Sequence, residues 1–177
     1  MRRLARGLAV GLALCAAALI GAGVLAPPAA ARQEAGQTTV ELSGMCRGLV
    51  VLGVNADARC QPDLTLKRDA DGQVHFAVAV FDQTCCALVF SGRTSAYYLD
   101  GAVRIQPIDS VFLYRAGSPP ISEQGQGDCR WPVRTPGRVT LTCRLVSAHD
   151  AARVTQLVFD ADTGEAFYSL FEVPPGP

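Results

Sequence analysis

Residues 129–143 read CRWPVRTPGRVTLTC, and the way this stretch turns back on itself decides the fold class. Proline and glycine punctuate it at Thr135-Pro136-Gly137, which signals a turn. Folding there sets Val133 opposite Val139, Trp131 opposite Leu141 and Cys129 opposite Cys143. Side chains alternate across a strand, so these six share one face. Arg130, Arg134, Arg138, Thr140, Thr142 and Arg144 take the other. One apolar and one polar face describe a half-buried antiparallel hairpin. The two sulfurs arrive opposite each other, which predicts a Cys129–Cys143 disulfide acting as a staple. Trp131, with apolar neighbours on its face, is expected in the core.

The same style of pattern extends along most of the chain. Short runs of branched and aromatic residues are broken by Asp, Gly, Pro or Asn, as strands are. DLTLKR and QVHFAVAVF flank DADG, AYYL and AVRIQPI flank Asp100-Gly101, and ARVTQLVFD and EAFYSLFEV flank DADTGE. Asp-Gly suits the positive φ of a type I′ turn, so each unit is read as a hairpin. GSPPISEQGQGD, residues 117–128, has no periodicity and is expected to be a long surface loop. Long loops often carry binding, which makes Ile121 to Gly127 a candidate contact segment, together with Tyr97 and Tyr98. The expected fold is all-β: a single antiparallel β-sandwich or small barrel over residues 45–173. A flexible polar segment, 32–44, precedes it, and a short tail, 174–177, follows.

The N-terminus sets the expected compartment. MRRLARG carries Arg2, Arg3 and Arg6, an uncharged apolar run follows, and Ala29-Ala30-Ala31 offers a small-residue exit. That is the pattern of a secretory signal peptide over residues 1–31. Its removal from the 177-residue chain would leave 146, enough for one domain with a proper core. It would also take three of the sixteen Lys and Arg and none of the sixteen Asp and Glu, giving a net charge of −3. No basic run remains, so the footprint of nucleic-acid binding is missing. Stable membrane insertion after cleavage is not expected. An outer-membrane barrel is disfavoured by short strands and numerous cysteines. The protein is therefore expected outside the cytoplasm, periplasmic or extracellular.

Six cysteines would remain after Cys15 leaves with the signal: 46, 60, 85, 86, 129 and 143. An even number in an exported chain reads as a disulfide framework. Folding CRGLVVLGVNADARC about Gly53 brings Cys46 towards Cys60 but sets Arg47 opposite Arg59, which is unfavourable. Cys46–Cys60 is the second expected pair. Cys85 and Cys86 are then left as a vicinal disulfide or a redox-responsive pair. Neighbouring Cα atoms lie about 3.8 Å apart, whereas disulfides want roughly 4.4 Å or more, so a ring between them is easily reduced.

Other chemistry finds little support. A thioredoxin-type site wants Cys-x-x-Cys beside a helix, and His75 and His149 are the only histidines. His75 alternates with the apolar series Val74, Phe76 and Val78, on a less apolar strand face. No serine stands in a nucleophile-elbow motif. DADTGE imitates the opening of a calcium loop through Asp160 and Asp162, but Phe171 occupies the position of the distal glutamate. No catalytic residue, metal ligand or cofactor is nominated. The expected function is a non-catalytic binding, interaction or structural module, with a protein or glycan of the cell envelope as partner. The alternative is a redox-responsive protein using Cys85–Cys86.

Overall fold

A computed structural model describes residues 32–34, 37–80, 86–133, 137–162, 168 and 170–171. The expected signal peptide lies outside the described residues. The strands are β1 (Arg32–Glu34), β2 (Gln37–Val51), β3 (Val54–Asn55), β4 (Cys60–Arg68), β5 (Gln73–Val80) and β6 (Cys86–Arg93). They continue as β7 (Tyr98–Asp100), β8 (Val103–Arg115), β9 (Ser118–Pro132), β10 (Arg138–Ser147) and β11 (Val154–Asp162). Every pairing is antiparallel. The order β2-β11-β10-β9-β8-β6-β5-β4 returns to β2, because β4 also pairs with β2, and the sheet closes as an eight-stranded barrel. β1, β3 and β7 are short strands outside that ring.

Alternation fills the barrel. β5 and β10 bury every second residue, and the inward columns carry Phe76, Phe90, Leu64, Leu66, Trp131, Leu141 and Phe159. Cys143 stands opposite Cys129 in the β9–β10 ladder, in the register read from the sequence, and the two are bonded. Both are fully buried. The Cys46–Cys60 bond is also present. Its cysteines stand in the register of the β2–β4 ladder, just past the last pair, Ser43 with Asp63. The chain between them departs from a simple hairpin: β3 pairs with the end of β2, and a 3-10 turn, Asp57–Arg59, leads into β4. The expected Arg47–Arg59 clash is thereby avoided, and Arg47 instead meets Asp160 on β11 at 2.7 Å.

Three stretches differ from the sequence reading. Residues 118–128 are not a loop but the first part of β9. Its inward positions include Gly125 and Gly127, where an added Cβ would lie 2.1 Å from the Val146 carbonyl and 1.9 Å from the Arg144 carbonyl. These glycines admit β10's backbone; they do not break the strand. Residues 32–34 and 37–44 lie in β1 and β2, where looseness was expected. The stretch EAFYSLFEV supplies no strand among the described residues. β11 is already paired with both β10 and β2, so it has no edge left for another strand. Tyr168, Leu170 and Phe171 bury themselves across the barrel's end instead. The ring of Phe171 lies 4.5 Å from that of Trp131 and 6.1 Å from that of Phe76. Arg68 holds the plug by donating to the Leu170 carbonyl at 3.0 Å.

The hairpin turns also differ in type. The DADG connection closes with Asp69 N–H on the Gln73 carbonyl and has positive φ at Gly72 alone, so it is not type I′. At the β7–β8 turn φ is positive at Gly101 only, as in type II′. The type I′ geometry appears at Leu52-Gly53, with φ of 52° and 86°. A leucine in that conformation costs about 1–2 kcal/mol.

Replacing both Cys129 and Cys143 by alanine should lower unfolding free energy by about 3 kcal/mol, measured by urea denaturation. An unchanged midpoint would show that the bond contributes nothing. Phe171→Ala should cost about 3–5 kcal/mol while leaving the far-ultraviolet strand signal intact, because the plug lies outside the ladders.

Candidate binding surfaces

The two ends of the barrel are built differently. The base, where β4–β5, β6–β8 and β9–β10 connect, is sealed by aromatic rings. Tyr97 lies 6.4 Å from Trp131 and 6.2 Å from Phe171. The guanidinium of Arg104, inward on β8 opposite Trp131, sits 5.8 Å from the Tyr97 ring and 5.9 Å from the Tyr168 ring, within cation–π range. Tyr97 is thus partly buried, packed against the core. Tyr98, its neighbour, is 49% exposed on β7.

The mouth, where β2–β4, β5–β6, β8–β9 and β10–β11 connect, is partly open. A cavity of about 270 Å³ lies there, with Val51, Leu52, Val54, Ala56, Val80 and Leu113 as its apolar lining. Arg59 and Arg115 supply cations and Asn55 an amide, and among the described lining residues there is no carboxylate. Asp57 braces this rim from outside the cavity, accepting from the Leu49 N–H and from the Asn55 side chain. These bonds, the backbone one foremost, hold its carboxyl below the usual range. Ile121, the expected loop contact, stands on β9 opposite Leu113 and is partly exposed at this same rim. Behind it, buried Glu123 accepts from the Ser147 hydroxyl and pairs with Arg153 at 3.1 Å. Ser147 Oγ in turn accepts the His149 and Asp150 amides, so one inward carboxylate fixes the β10–β11 turn. His149 joins this network through its backbone amide.

The outer wall has two faces of opposite character. Across β2, β11, β10 and β9 it is charged. Asp160 takes Arg47 and the Thr140 hydroxyl, Asp162 pairs with Arg138 at 3.1 Å, and Asp128 takes Arg130. The Arg47 bond, then Thr140, holds the Asp160 carboxyl below its ordinary value. Across β5, β6 and β8 the outward residues are apolar. Ala77, Val89 and Phe112 form one row and Ala79, Ala87 and Tyr114 the next, placed side by side by the ladders. Tyr114 is 46% exposed, and its ring lies 6.3 Å from that of Phe112.

Towards the base this apolar wall ends in a chain of polar groups that sequence spacing does not reveal. Lys67 Nζ reaches Asp69 Oδ1 at 2.7 Å, Asp69 Oδ2 lies 3.0 Å from His75 Nε2, and His75 Nδ1 lies 2.8 Å from Ser91 Oγ. The Lys67 bond foremost, with His75 assisting, lowers the Asp69 pKa. An Asp–His–Ser series can activate a hydroxyl. Ser91, however, is 3% exposed, and β6 is paired there with both β5 and β8. Its neighbouring amides are taken up by the ladders, so no donor is aimed where an oxyanion would form. The chain reads as a clasp between the β4–β5 turn and β6.

Cys85 lies outside the described residues. The backbone of Cys86 begins β6, opposite Val80 on one side and Arg115 on the other, both of which line the mouth cavity. Among the described residues no three His, Cys, Asp or Glu gather as a metal site, and no helix is long and apolar enough to cross a membrane. Comparison with protein-family models, with curated proteins and with solved structures finds no match.

Asp57, Asp69 and Asp160 share one pH signature. Each has a folded pKa below its unfolded value, which is about 3.9. Their stabilisation is complete above that value and is lost as pH falls through the folded values. Urea midpoints should therefore be flat between about pH 5 and 7 and fall below about pH 4. In Asp69→Asn and Asp160→Asn the acid limb should be shallower. Parallel acid limbs in wild type and variants would refute this assignment.

Proposed function

We propose that this protein is an exported, non-catalytic binding module that docks a partner protein on the β5–β6–β8 wall. The single observation behind this reading is the apolar row pair Ala77, Val89, Phe112 and Ala79, Ala87, Tyr114, facing outward from a barrel whose interior is already filled. A packed barrel has no need to turn aromatics outward, and these six form a contiguous apolar surface, exposed at Tyr114 and half-buried elsewhere, of the kind that marks an interaction site. A protein is favoured over a glycan because the Tyr114 hydroxyl is the one hydrogen-bonding side-chain group within the two rows. Export is supported by the two disulfides, which persist in oxidising compartments.

The test is site-specific photo-crosslinking in the exporting cell. A photoreactive residue at Tyr114 should yield one discrete protein adduct, and the same residue at Arg144, on the charged wall, should yield none. Phe112→Lys should abolish that adduct while circular dichroism remains that of a folded barrel. Equal adducts from both walls, or none from Tyr114, would refute the reading.

A further inference from the structure

We infer that the mouth cavity is a second binding site, for a single-chain anionic amphiphile: an acyl chain carrying a carboxylate. The site is distinct from the β5–β6–β8 wall and does not depend on a partner docking there. Three observations converge on it. The cavity's walls are aliphatic, its rim carries the Arg115 guanidinium, and no carboxylate stands among its described lining residues. Arg115 is exposed and makes no ion pair among the described residues. An apolar body with one anion at its end fits that arrangement of charge.

The second observation is size. About 270 Å³ lies near the lower edge of small-molecule pockets, roughly 300–1,000 Å³. At about 30 Å³ per heavy atom, close to water's share of its liquid, the cavity holds on the order of nine carbons. A chain of that length fits with its head left at the rim.

The third is the backbone of Leu52. A type I′ turn favours Asn-Gly, yet this one reads Leu52-Gly53, with φ of 52° at the leucine. Strained conformations persist where surrounding structure over-determines them, and they gather at ligand sites. Here the Leu52 N–H donates to Thr155 Oγ1 at 3.1 Å and the Gly53 N–H to the Val154 carbonyl at 2.7 Å. What the strained leucine supplies is apolar wall: its side chain lines the cavity. Asparagine would relieve the turn and put an amide in that wall.

Isothermal titration of the signal-free protein with decanoate, decanol and decyltrimethylammonium tests the site. Decanoate should bind at one equivalent, about tenfold more tightly than decanol and with a larger margin over the cationic amphiphile. Arg115→Gln should weaken decanoate about tenfold and leave decanol unchanged. Leu52→Asn should raise the Tm while weakening decanoate and decanol alike, a pairing that damage to the fold cannot produce. Absence of saturable decanoate binding, equal affinity for all three head groups, or an Arg115→Gln variant that binds decanoate as tightly as wild type would overturn the inference. Crosslinking from Tyr114 is read separately, so failure at either site leaves the other standing.

Discussion

The fold depends on one strand holding two partners in succession. β2 pairs through Thr38–Ser43 with β4 and through Gly44–Val50 with β11. Without that exchange the chain would make an open meander with two long free edges. With it, the ladders form a ring, and a ring has no edge to aggregate or slip. The register is fixed at the same time, because shifting any strand by one residue would turn its whole apolar column outward. Cys46 lies just past the exchange point and reaches Cys60 at the start of β4. The bond therefore ties together two strands where their ladder ends. Cys129–Cys143 plays the opposite part, inside a ladder that is already paired.

Closure explains what happens at the ends. A small closed barrel must fill its interior with side chains, and Trp131, Phe76 and Phe90 do so here with almost no exposure. The aromatic column reaches the base, where Phe171 and Tyr97 cover it. At the mouth the described inward residues, such as Val51, Val80 and Leu113, are aliphatic rather than aromatic. Glu123 with Arg153 occupies one sector and the aliphatic cavity another. The polar sector is satisfied within itself; the aliphatic sector is open.

The fold was legible where a face pattern and a turn signal coincided. Cys129 to Cys143 carries both, and its register was readable to the residue. β9 was illegible in its first half because its inward positions are Glu123, Gly125 and Gly127. A buried carboxylate and two glycines erase the apolar alternation by which a strand is recognised. The C-terminal stretch failed for the reverse reason. Its pattern suits a strand, but pairing depends on a vacant edge, and closure had removed it. Leu52-Gly53 defeated turn chemistry outright, since leucine is a poor residue for positive φ.

The candidate surfaces were illegible for a geometrical reason. Phe112 and Tyr114 mean little in sequence, and Ala77, Ala79, Ala87 and Val89 mean less. They become one surface only because ladders align three strands drawn from residues 77 to 114. Asp69, His75 and Ser91 meet in the same way, across a turn and a neighbouring strand. A filled barrel can act only through its walls and ends, which narrows the possibilities. One wall neutralises its own charges pairwise, as Asp160 does with Arg47 and Asp162 with Arg138. Exposed ion pairs of that kind contribute little to stability, but they keep a surface hydrated and unattractive to apolar partners. Among the described residues the two apolar rows of the other wall carry no such pair, and that wall leads, through Tyr114 and Arg115, to the aliphatic sector of the mouth.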